Sequence, residues 1–303
     1  MDTTEYLVFS GGGSNGFTHV GVWRVLEALC LRQRGIDLCR AVRGVSGTSI
    51  GAIVALAIAL GYTSYEFEEM ASHYIDLSND SLDLMKLYQG RKGVVNSDVI
   101  GGFVQRLIEK KTGSTELRFG DLPVKYLCAV HNITKMEGEL MSAETQPELE
   151  VWRAVTMSCL LPFVFEGLRH PATGDVYMDG GLSNSLPFEC FPVEKTLALY
   201  IRKDPGGDTS SFIGLFARVM QAYETATKMK LKATPRLQIV NVSVATSATE
   251  QIISSGKLRV DLVDRERLVR TGEMAALDAY RPDLAQFVTA FKKVWICGEK
   301  KQT

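Results

Sequence analysis

The sequence lacks the features of a membrane-spanning or secreted protein. Its longest apolar run, Ile50 to Leu60, falls well short of the roughly 20 residues that a transmembrane helix requires. The first residues, Met1 to Glu5, are acidic and lead straight into an apolar segment, whereas a signal peptide begins with basic residues and continues with an apolar stretch. We therefore expect an intracellular protein, cytoplasmic or peripherally bound to a membrane, with no signal peptide and no transmembrane helix.

The sequence also lacks a cysteine pattern and an excess of charge of either sign. Its six cysteines are scattered, form no C-x-x-C pair and have no histidine beside them at zinc-ligand spacing, so we expect reduced thiols rather than a metal site. Lys and Arg number 34 and Asp and Glu number 35, which gives a formal net charge of -1. A balanced charge produces no overall field that attracts nucleic acid, and we expect no nucleic-acid partner.

The order of the predicted segments indicates an α/β fold. The chain has 303 residues, of which 46% are hydrophobic, and it contains no internal repeat, low-complexity stretch or clear linker. Its N-terminal part alternates in type, with a strand at Tyr6 to Phe9, a glycine loop at Ser10 to Gly16, a helix at Val20 to Leu31, a strand at Ala41 to Val45 and a helix at Ile50 to Leu60. This βαβ order predicts a mostly parallel central sheet with helices on both faces.

The first of these helices has an apolar face. Its members follow the i, i+3, i+4, i+7 spacing of a helix and are Val22, Val25, Leu26 and Leu29. Arg24 and Glu27 fall outside this face, as expected for a helix that packs on a sheet along one side only. The spacing therefore predicts which side of this helix faces the sheet.

The rest of the chain continues the mixture of helices and strands. Further helices are predicted at Ser64 to Tyr74, Val99 to Lys110, Trp152 to Ser158, Phe212 to Tyr223 and Arg265 to Ala276. Further strands are predicted at Tyr126 to His131 and around Leu140, both edge-like, and at Val176 to Met178, Thr196 to Tyr200 and Leu237 to Val244. The segment from Leu77 to Val95 is either a helix with a surface turn or a mobile lid over an apolar pocket.

The most informative motif is Gly47-Thr48-Ser49-Ile50-Gly51, which matches the G-x-S-x-G nucleophile elbow between a strand and a helix. A serine at such a sharp turn has strained backbone angles, and Gly47 and Gly51 keep side chains out of the crowded turn. The hydroxyl then stands near the N-terminus of the next helix, which stabilises negative charge. Ser49 is therefore a candidate nucleophile. A Ser/Thr/Gly cluster between a strand and a helix is also typical of an ordinary N-cap.

A second motif, Gly11-Gly12-Gly13-Ser14-Asn15-Gly16, separates the first strand from the first helix, where its backbone N–H groups can bind an anion. Its glycines satisfy the G-x-G-x-x-G dinucleotide fingerprint, so a nucleotide-binding protein is one interpretation. That fingerprint includes an acidic residue at the end of the second strand, and Gly44-Val45-Ser46 carries none. The other interpretation is that the loop binds the oxyanion of a reaction at Ser49.

A serine nucleophile needs a base, and the sequence has four histidines: His19, His73, His131 and His170. An α/β-hydrolase places its histidine late in the chain, after the acid, so a Ser-His-Asp triad is disfavoured here, with His131 or His170 as its fallback base. Asp179 is the remaining candidate, because Gly180 and Gly181 allow tight turning just after a short strand. Its carboxylate can accept the Ser49 proton directly, as a dyad, or it can form an Asx turn.

Together these motifs resemble the patatin-like phospholipase family. Ser10 to Gly16, Gly47 to Gly51 and Asp179-Gly180-Gly181 occur in the order and rough spacing of that family. Residues similar to its fourth block are Ala154, Ser158, Pro162 and Phe165, and Leu182 to Pro187 resembles the usual sequel of its Asp-Gly motif. We expect a single catalytic domain over residues 1–303, best supported over residues 5–202, with helices and strand of residues 203–303 packed on it.

The resemblance implies a patatin-like, three-layer fold, a Ser49/Asp179 dyad and an oxyanion hole from the backbone of Gly11, Gly12 and Gly13. It also implies hydrolysis of lipid acyl esters without a metal ion or other cofactor. The expected substrate is a phospholipid or related lipid ester, reached by transient contact with a membrane surface. A catalytically silent lipid-binding member of the same fold is the alternative. Asn15 stands where the family commonly has Arg or Lys, which removes a cation beside the glycine loop.

Overall fold

The computed structural model describes residues 4–74, 93–95, 97–203, 212–244 and 262–280. The α-helices in these ranges are α1 (Phe17–Arg34), α2 (Leu38–Ala41), α3 (Ile50–Ala59), α4 (Ser64–Tyr74), α5 (Asp98–Thr112), α6 (Val151–Ser158), α7 (Phe212–Ala233) and α8 (Leu262–Tyr280). The strands are β1 (Tyr6–Phe9), β2 (Gly44–Thr48), β3 (Gly93–Val95), β4 (Lys125–Asn132), β5 (Glu137–Met141), β6 (Phe163–Phe165), β7 (Leu168–Arg169), β8 (Val176–Asp179), β9 (Thr196–Lys203) and β10 (Gln238–Val244). The segment predicted as a helix with a turn or as a lid lies outside the described residues, except for β3.

One large sheet forms the centre of the fold. Its strands follow the order β10-β9-β1-β2-β4-β8-β7, and β5 joins β4 as a branch. The strands from β10 to β4 are mutually parallel. β5 and β8 are antiparallel to β4, and β7 is antiparallel to β8. β3 and β6 form a separate parallel pair. The mostly parallel α/β sheet that the sequence predicts is therefore confirmed.

The side chains of β1 point alternately to the two faces of this sheet, and each face has its own hydrophobic core. Leu7 and Phe9 belong to a core that includes the buried residues of α1 and α3. Val8 belongs to a second core, which contains Phe188 of a short 3-10 helix and is covered in part by Leu231 of α7. Helical segments therefore cover both faces, which is the layered arrangement expected from the βαβ order.

Two strand predictions were wrong in detail. The strand predicted at Ala41 to Val45 begins only at Gly44, because Leu38–Ala41 forms the short helix α2. β4 was expected at an edge, yet it lies inside the sheet with β2 and β5 as neighbours. The polar residue at the C-terminal end of β4, Asn132, is buried because its side chain forms hydrogen bonds with neighbouring residues. The side-chain amide of Asn132 donates to Glu139 at 2.9 Å and to Asp175 at 3.1 Å.

Helix α1 is buried on more than the one side that its apolar face indicates. Besides the sheet it packs against α8, and the two helix backbones touch. A Cβ atom at Gly21 would lie 1.9 Å from the Val269 carbonyl oxygen, and one at Gly272 would lie 1.9 Å from the Thr18 carbonyl oxygen. Only glycine fits such an approach without a shift of the helices. In the described part of the chain, α8 is thus packed directly on the N-terminal segment.

Arg24 and Glu27, which lie outside the apolar face of α1, contact neighbouring helices. Arg24 is 5% exposed and pairs with Glu68 of α4 and Glu273 of α8. Glu27 accepts hydrogen bonds from the backbone N–H of Ser64 at 2.9 Å and from its hydroxyl at 2.6 Å. Burial raises the pKa of Glu27 to about 7, although the bonds from Ser64 oppose the shift.

The contact between α1 and α8 predicts that Gly272→Ala destabilises the protein. The added methyl group meets the Thr18 carbonyl oxygen, and overpacking of this kind costs about 1–3 kcal/mol. Gly102→Ala on α5 is the matched control, because nothing lies within 4 Å of the added Cβ atom. It should leave the free energy of unfolding unchanged or raise it by about 0.5–1 kcal/mol.

The free energy of unfolding of both variants is measured by denaturant unfolding. A chain that folds as one domain gives one unfolding transition. Wild-type stability of Gly272→Ala would contradict the close packing of the two helices. If the protein unfolds in two transitions and Gly272→Ala shifts only one of these transitions, the prediction of a single domain is contradicted.

The raised pKa of Glu27 predicts a pH dependence of stability. Because this pKa rises from 4.5 to about 7 on folding, the folded protein holds the proton more tightly than the unfolded chain does. The stabilisation is fully present below pH 4.5 and is lost as the pH rises through about 7. Denaturant unfolding of wild type and Glu27→Gln across this range should show the wild type losing stability relative to the variant. A difference that does not change with pH would refute the assignment.

Candidate active site

Ser49 lies at the turn between β2 and α3, where it is the N-cap residue of that helix. Its backbone angles, φ 56° and ψ -129°, fall outside the regions that residues other than glycine ordinarily adopt. Neighbouring glycines make the turn possible. A Cβ atom at Gly47 would lie 2.3 Å from the Gly51 carbonyl oxygen, and one at Gly51 would lie 2.4 Å from that of Phe9. The strained turn is therefore present, and the Ser49 side chain makes no N-cap hydrogen bond.

Asp179 ends β8 and is 5% exposed. Its backbone N–H donates to the Leu160 carbonyl oxygen at 2.9 Å. One carboxylate oxygen, Oδ1, accepts the N–H of Gly181 at 2.7 Å, which is the bond expected of an Asx turn. A carboxylate has two oxygens and about four acceptor positions, so this turn leaves the group able to accept a proton.

Strand pairing brings β2 and β8 to the same edge of β4. β5 pairs with β4 from Cys128 to Asn132. β2 pairs with β4 from Lys125 to Ala129, and β8 pairs with it from Val130 to Asn132. A strand has two edges, and β5 occupies one of them beside both partners. β2 and β8 therefore share the other edge.

The C-terminal ends of β2 and β8 meet on this shared edge, because the two strands run in opposite directions. Thr48 pairs with Ala129, and Asp179 pairs with the next residue, Val130. Successive positions along a strand are about 3.3 Å apart. Gly180 packs at the same point, since a Cβ atom there would lie 2.1 Å from the Ala129 carbonyl oxygen. Ser49 and Asp179 thus leave their strands side by side, although they are far apart in sequence.

Cys159 directly follows α6 and is buried, and no sequence pattern marks it as a site residue. Burial raises the pKa of its thiol well above the usual range, the charge of Asp179 adds to the shift, and a hydrogen bond with Ser49 opposes it. A thiol held so far from ionisation does not compete as a nucleophile.

The glycine loop lies against the same turn. A Cβ atom at Gly11 would lie 3.6 Å from the Cβ of Ser49, an ordinary contact distance. The N–H of Gly11 donates to the Ser185 carbonyl oxygen at 3.0 Å, a bond that the sequence did not indicate. No backbone acceptor within the described ranges takes the N–H of Gly12 or Gly13. Of the three amides that the resemblance implies as oxyanion donors, those of Gly12 and Gly13 are thus not bonded to a backbone acceptor in these ranges.

The residues that support the loop carry no charge. Asn15 is 2% exposed, so an uncharged amide fills the position where the family commonly has a cation. His19 donates from Nε2 to the Ser10 carbonyl oxygen at 2.8 Å, and burial lowers its pKa to about 4, which keeps the ring neutral. Gly16 is needed for close packing, because a Cβ atom there would lie 2.1 Å from the Ile50 side chain.

The fallback histidines belong to the antiparallel part of the sheet, and His131 directly follows Val130, the pairing partner of Asp179. The Nε2 of His170 is 3.1 Å from Gln146 Oε1, and its Nδ1 accepts the backbone N–H groups of Ala172 and Thr173. This ring is thereby committed to the β7–β8 hairpin. His131 pairs with Met178 in the strand register, and burial lowers its pKa.

Among the residues that the structure describes, no cluster of three or more His, Cys, Asp or Glu side chains could hold a metal ion. Nor does any helix there have the length and apolar character to cross a membrane. The cysteines that the structure describes are free thiols, and Cys30, Cys128 and Cys159 are buried.

Comparison with known proteins identifies the family. Residues 7–191 match the family described as patatin-like phospholipase, and the chain belongs to it. YqhO of Bacillus subtilis (strain 168) is 29% identical over 245 residues, which cover 72% of this chain and 80% of YqhO. The probable lipid hydrolase 463L of Invertebrate iridescent virus 6 is 27% identical over 191 residues, which cover 60% of this chain and 61% of 463L.

A solved structure shows the same fold. The crystal structure of VipD from Legionella pneumophila matches with a TM-score of 0.54 and 18% identity, and the match covers 91% of this chain and 66% of VipD. The resemblance found in the sequence motifs and the predicted fold class are thus both confirmed. The chain spans less than two thirds of the length of 463L and of VipD.

Proposed function

We propose that the protein is an intracellular serine acyl hydrolase that cleaves fatty-acyl esters of phospholipids with a Ser49–Asp179 dyad. The observation that carries this proposal is the meeting of β2 and β8 on one edge of β4, with a strained serine at one end and a buried carboxylate at the other. The family description and the name of the viral relative favour a lipid ester as substrate. Such a substrate requires transient contact with a membrane or micelle surface.

In the proposed reaction, the Ser49 hydroxyl oxygen attacks the ester carbonyl carbon while Asp179 accepts the hydroxyl proton. The carbonyl oxygen becomes the oxyanion of a tetrahedral intermediate. Collapse of this intermediate breaks the ester bond, the alcohol leaves with the proton from Asp179, and the acyl group stays on Ser49. Water then attacks the acyl group, Asp179 takes a proton from that water and returns it to Ser49, and the fatty acid is released.

We assign the oxyanion to the N–H groups of Gly12 and Gly13. Their hydrogens have no backbone acceptor in the ranges described, whereas the N–H of Gly11 is bonded to Ser185. Gly11 has a different task in this proposal, which is to let the loop backbone approach Ser49. Because Asn15 is uncharged, the stabilisation of the oxyanion comes from fixed backbone dipoles rather than from a side-chain cation.

Removal of either dyad member should abolish hydrolysis. Ser49→Ala deletes the nucleophile and Asp179→Asn deletes the base, so each should lower the release of fatty acid from a labelled phospholipid by at least about 10³-fold. Ser72→Ala and Asp37→Asn make the same chemical changes at exposed positions and should keep wild-type activity. Circular dichroism and thermal unfolding check that all four variants are folded.

Two outcomes count against the proposal. Activity that is unchanged in a folded Ser49→Ala or Asp179→Asn variant rejects the dyad. A wild-type protein that binds phospholipid vesicles but releases no fatty acid under any condition rejects the enzyme and favours the silent lipid-binding alternative.

Turnover should not depend on a metal ion, because the proposed dyad activates the serine with a carboxylate alone. Addition of EDTA and EGTA should therefore change the rate by less than about twofold, whereas loss of a catalytic metal removes most of the activity. The measurement uses a micellar substrate, which avoids effects of calcium on vesicle surfaces. A loss of activity that added calcium restores would contradict the metal-independent mechanism.

A further inference from the structure

Ser158 is the last residue of α6 and is completely buried. Its hydroxyl oxygen accepts the backbone N–H of Ser49 at 2.9 Å. The same hydroxyl donates to the Ala129 carbonyl oxygen of β4 at 2.6 Å. One side chain therefore connects the strained serine to the strand that also carries the partner of Asp179.

The Ser158 hydroxyl lies where the C-terminal ends of β2 and β8 meet beside β4. Ala129 is the pairing partner of Thr48, and Val130, the next residue, is the partner of Asp179. Two residues after Ser158, the Leu160 carbonyl oxygen accepts the backbone N–H of Asp179 at 2.9 Å. The end of α6 and the residues after it are thus hydrogen-bonded to the main chain of both members of the proposed dyad.

The sharp turn at Ser49 creates a need for such a bond. An uncommon backbone conformation persists only where its surroundings hold it, and a buried N–H group without an acceptor is unfavourable. Ser158 satisfies this N–H and fixes its direction at the same time. Because the N–H of Ser49 is used in this way, it is not directed at an oxyanion.

We propose that Ser158 is a positioning residue, which sets the orientation of the Ser49 hydroxyl relative to Asp179 through the backbone of Ser49. This inference rests on the proposed hydrolase function. Ser158 does not touch the substrate in this view. Its removal should therefore slow the reaction of Ser49 without weakening the binding of the lipid.

Thr156 provides a matched control on the same helix. It is 2% exposed, and its hydroxyl donates to the Trp152 carbonyl oxygen at 2.7 Å, within α6 itself. Thr156→Ala removes a buried hydroxyl two residues from Ser158 without touching Ser49 or β4. A purely structural role of Ser158 predicts similar behaviour of the two alanine variants.

The test is the reaction of the full chain with a fluorophosphonate, in which a Ser49 Oγ–phosphorus bond forms, fluoride leaves and the base takes the hydroxyl proton. Two quantities are measured: the fraction of molecules labelled at saturation, and the rate constant for those molecules. For Ser158→Ala we expect the rate constant and kcat on phospholipid to fall at least about tenfold, with KM within about twofold and the labelled fraction close to that of Thr156→Ala. Thr156→Ala should keep the wild-type rate constant.

The inference is overturned if Ser158→Ala keeps the wild-type rate constant, or if only its labelled fraction falls. Should Ser158→Ala not fold, the same criterion applies to Ser158→Cys, whose thiol fills the site but donates and accepts hydrogen bonds weakly. Failure of the hydrolase proposal looks different. In that case the wild type is not labelled at Ser49 and Ser49→Ala releases as much fatty acid as the wild type.

Discussion

One edge of β4 is shared by two strands that run in opposite directions, and the proposed chemistry depends on this arrangement. β2 approaches along the first half of the edge and β8 along the second, so their C-terminal ends face each other at Ala129 and Val130. A wholly parallel sheet would separate Ser49 and Asp179 by the spacing of neighbouring strands. The antiparallel attachment of β8 instead brings a serine turn and an aspartate turn to one point.

The tight packing around this point explains where glycine is needed. Gly47 and Gly51 let α3 begin directly against β1 and β2, and Gly180 lets the chain turn over the Ala129 carbonyl oxygen. A side chain at any of the three would move Ser49 or Asp179 with respect to the other. Behind the sheet, Gly272 allows α8 to touch α1, the helix that follows the glycine loop. The loop is thus supported from a part of the chain that is remote in sequence.

Much of the fold and the local form of the site could be predicted from the sequence. The strained turn at Ser49 is set by its own neighbours, Gly47 and Gly51, and the Asp-Gly turn at Asp179 likewise depends on adjacent residues. Contacts between distant segments could not be predicted in this way. Periodicity assigned a single packed face to α1, because nothing near Arg24 in sequence indicates that Glu273 will pair with it. The bond from Gly11 to Ser185 and the bond from Ser49 to Ser158 escaped notice for the same reason.

The most direct measurement is a crystal structure of the protein after reaction with a fluorophosphonate. We expect a covalent bond from Ser49 Oγ to phosphorus, a phosphoryl oxygen within about 2.7–3.1 Å of the N–H groups of Gly12 and Gly13, and the Asp179 carboxylate facing the modified serine. A label on any other residue, or an Asp179 carboxylate turned away from Ser49 with another base in its place, would contradict the proposed dyad.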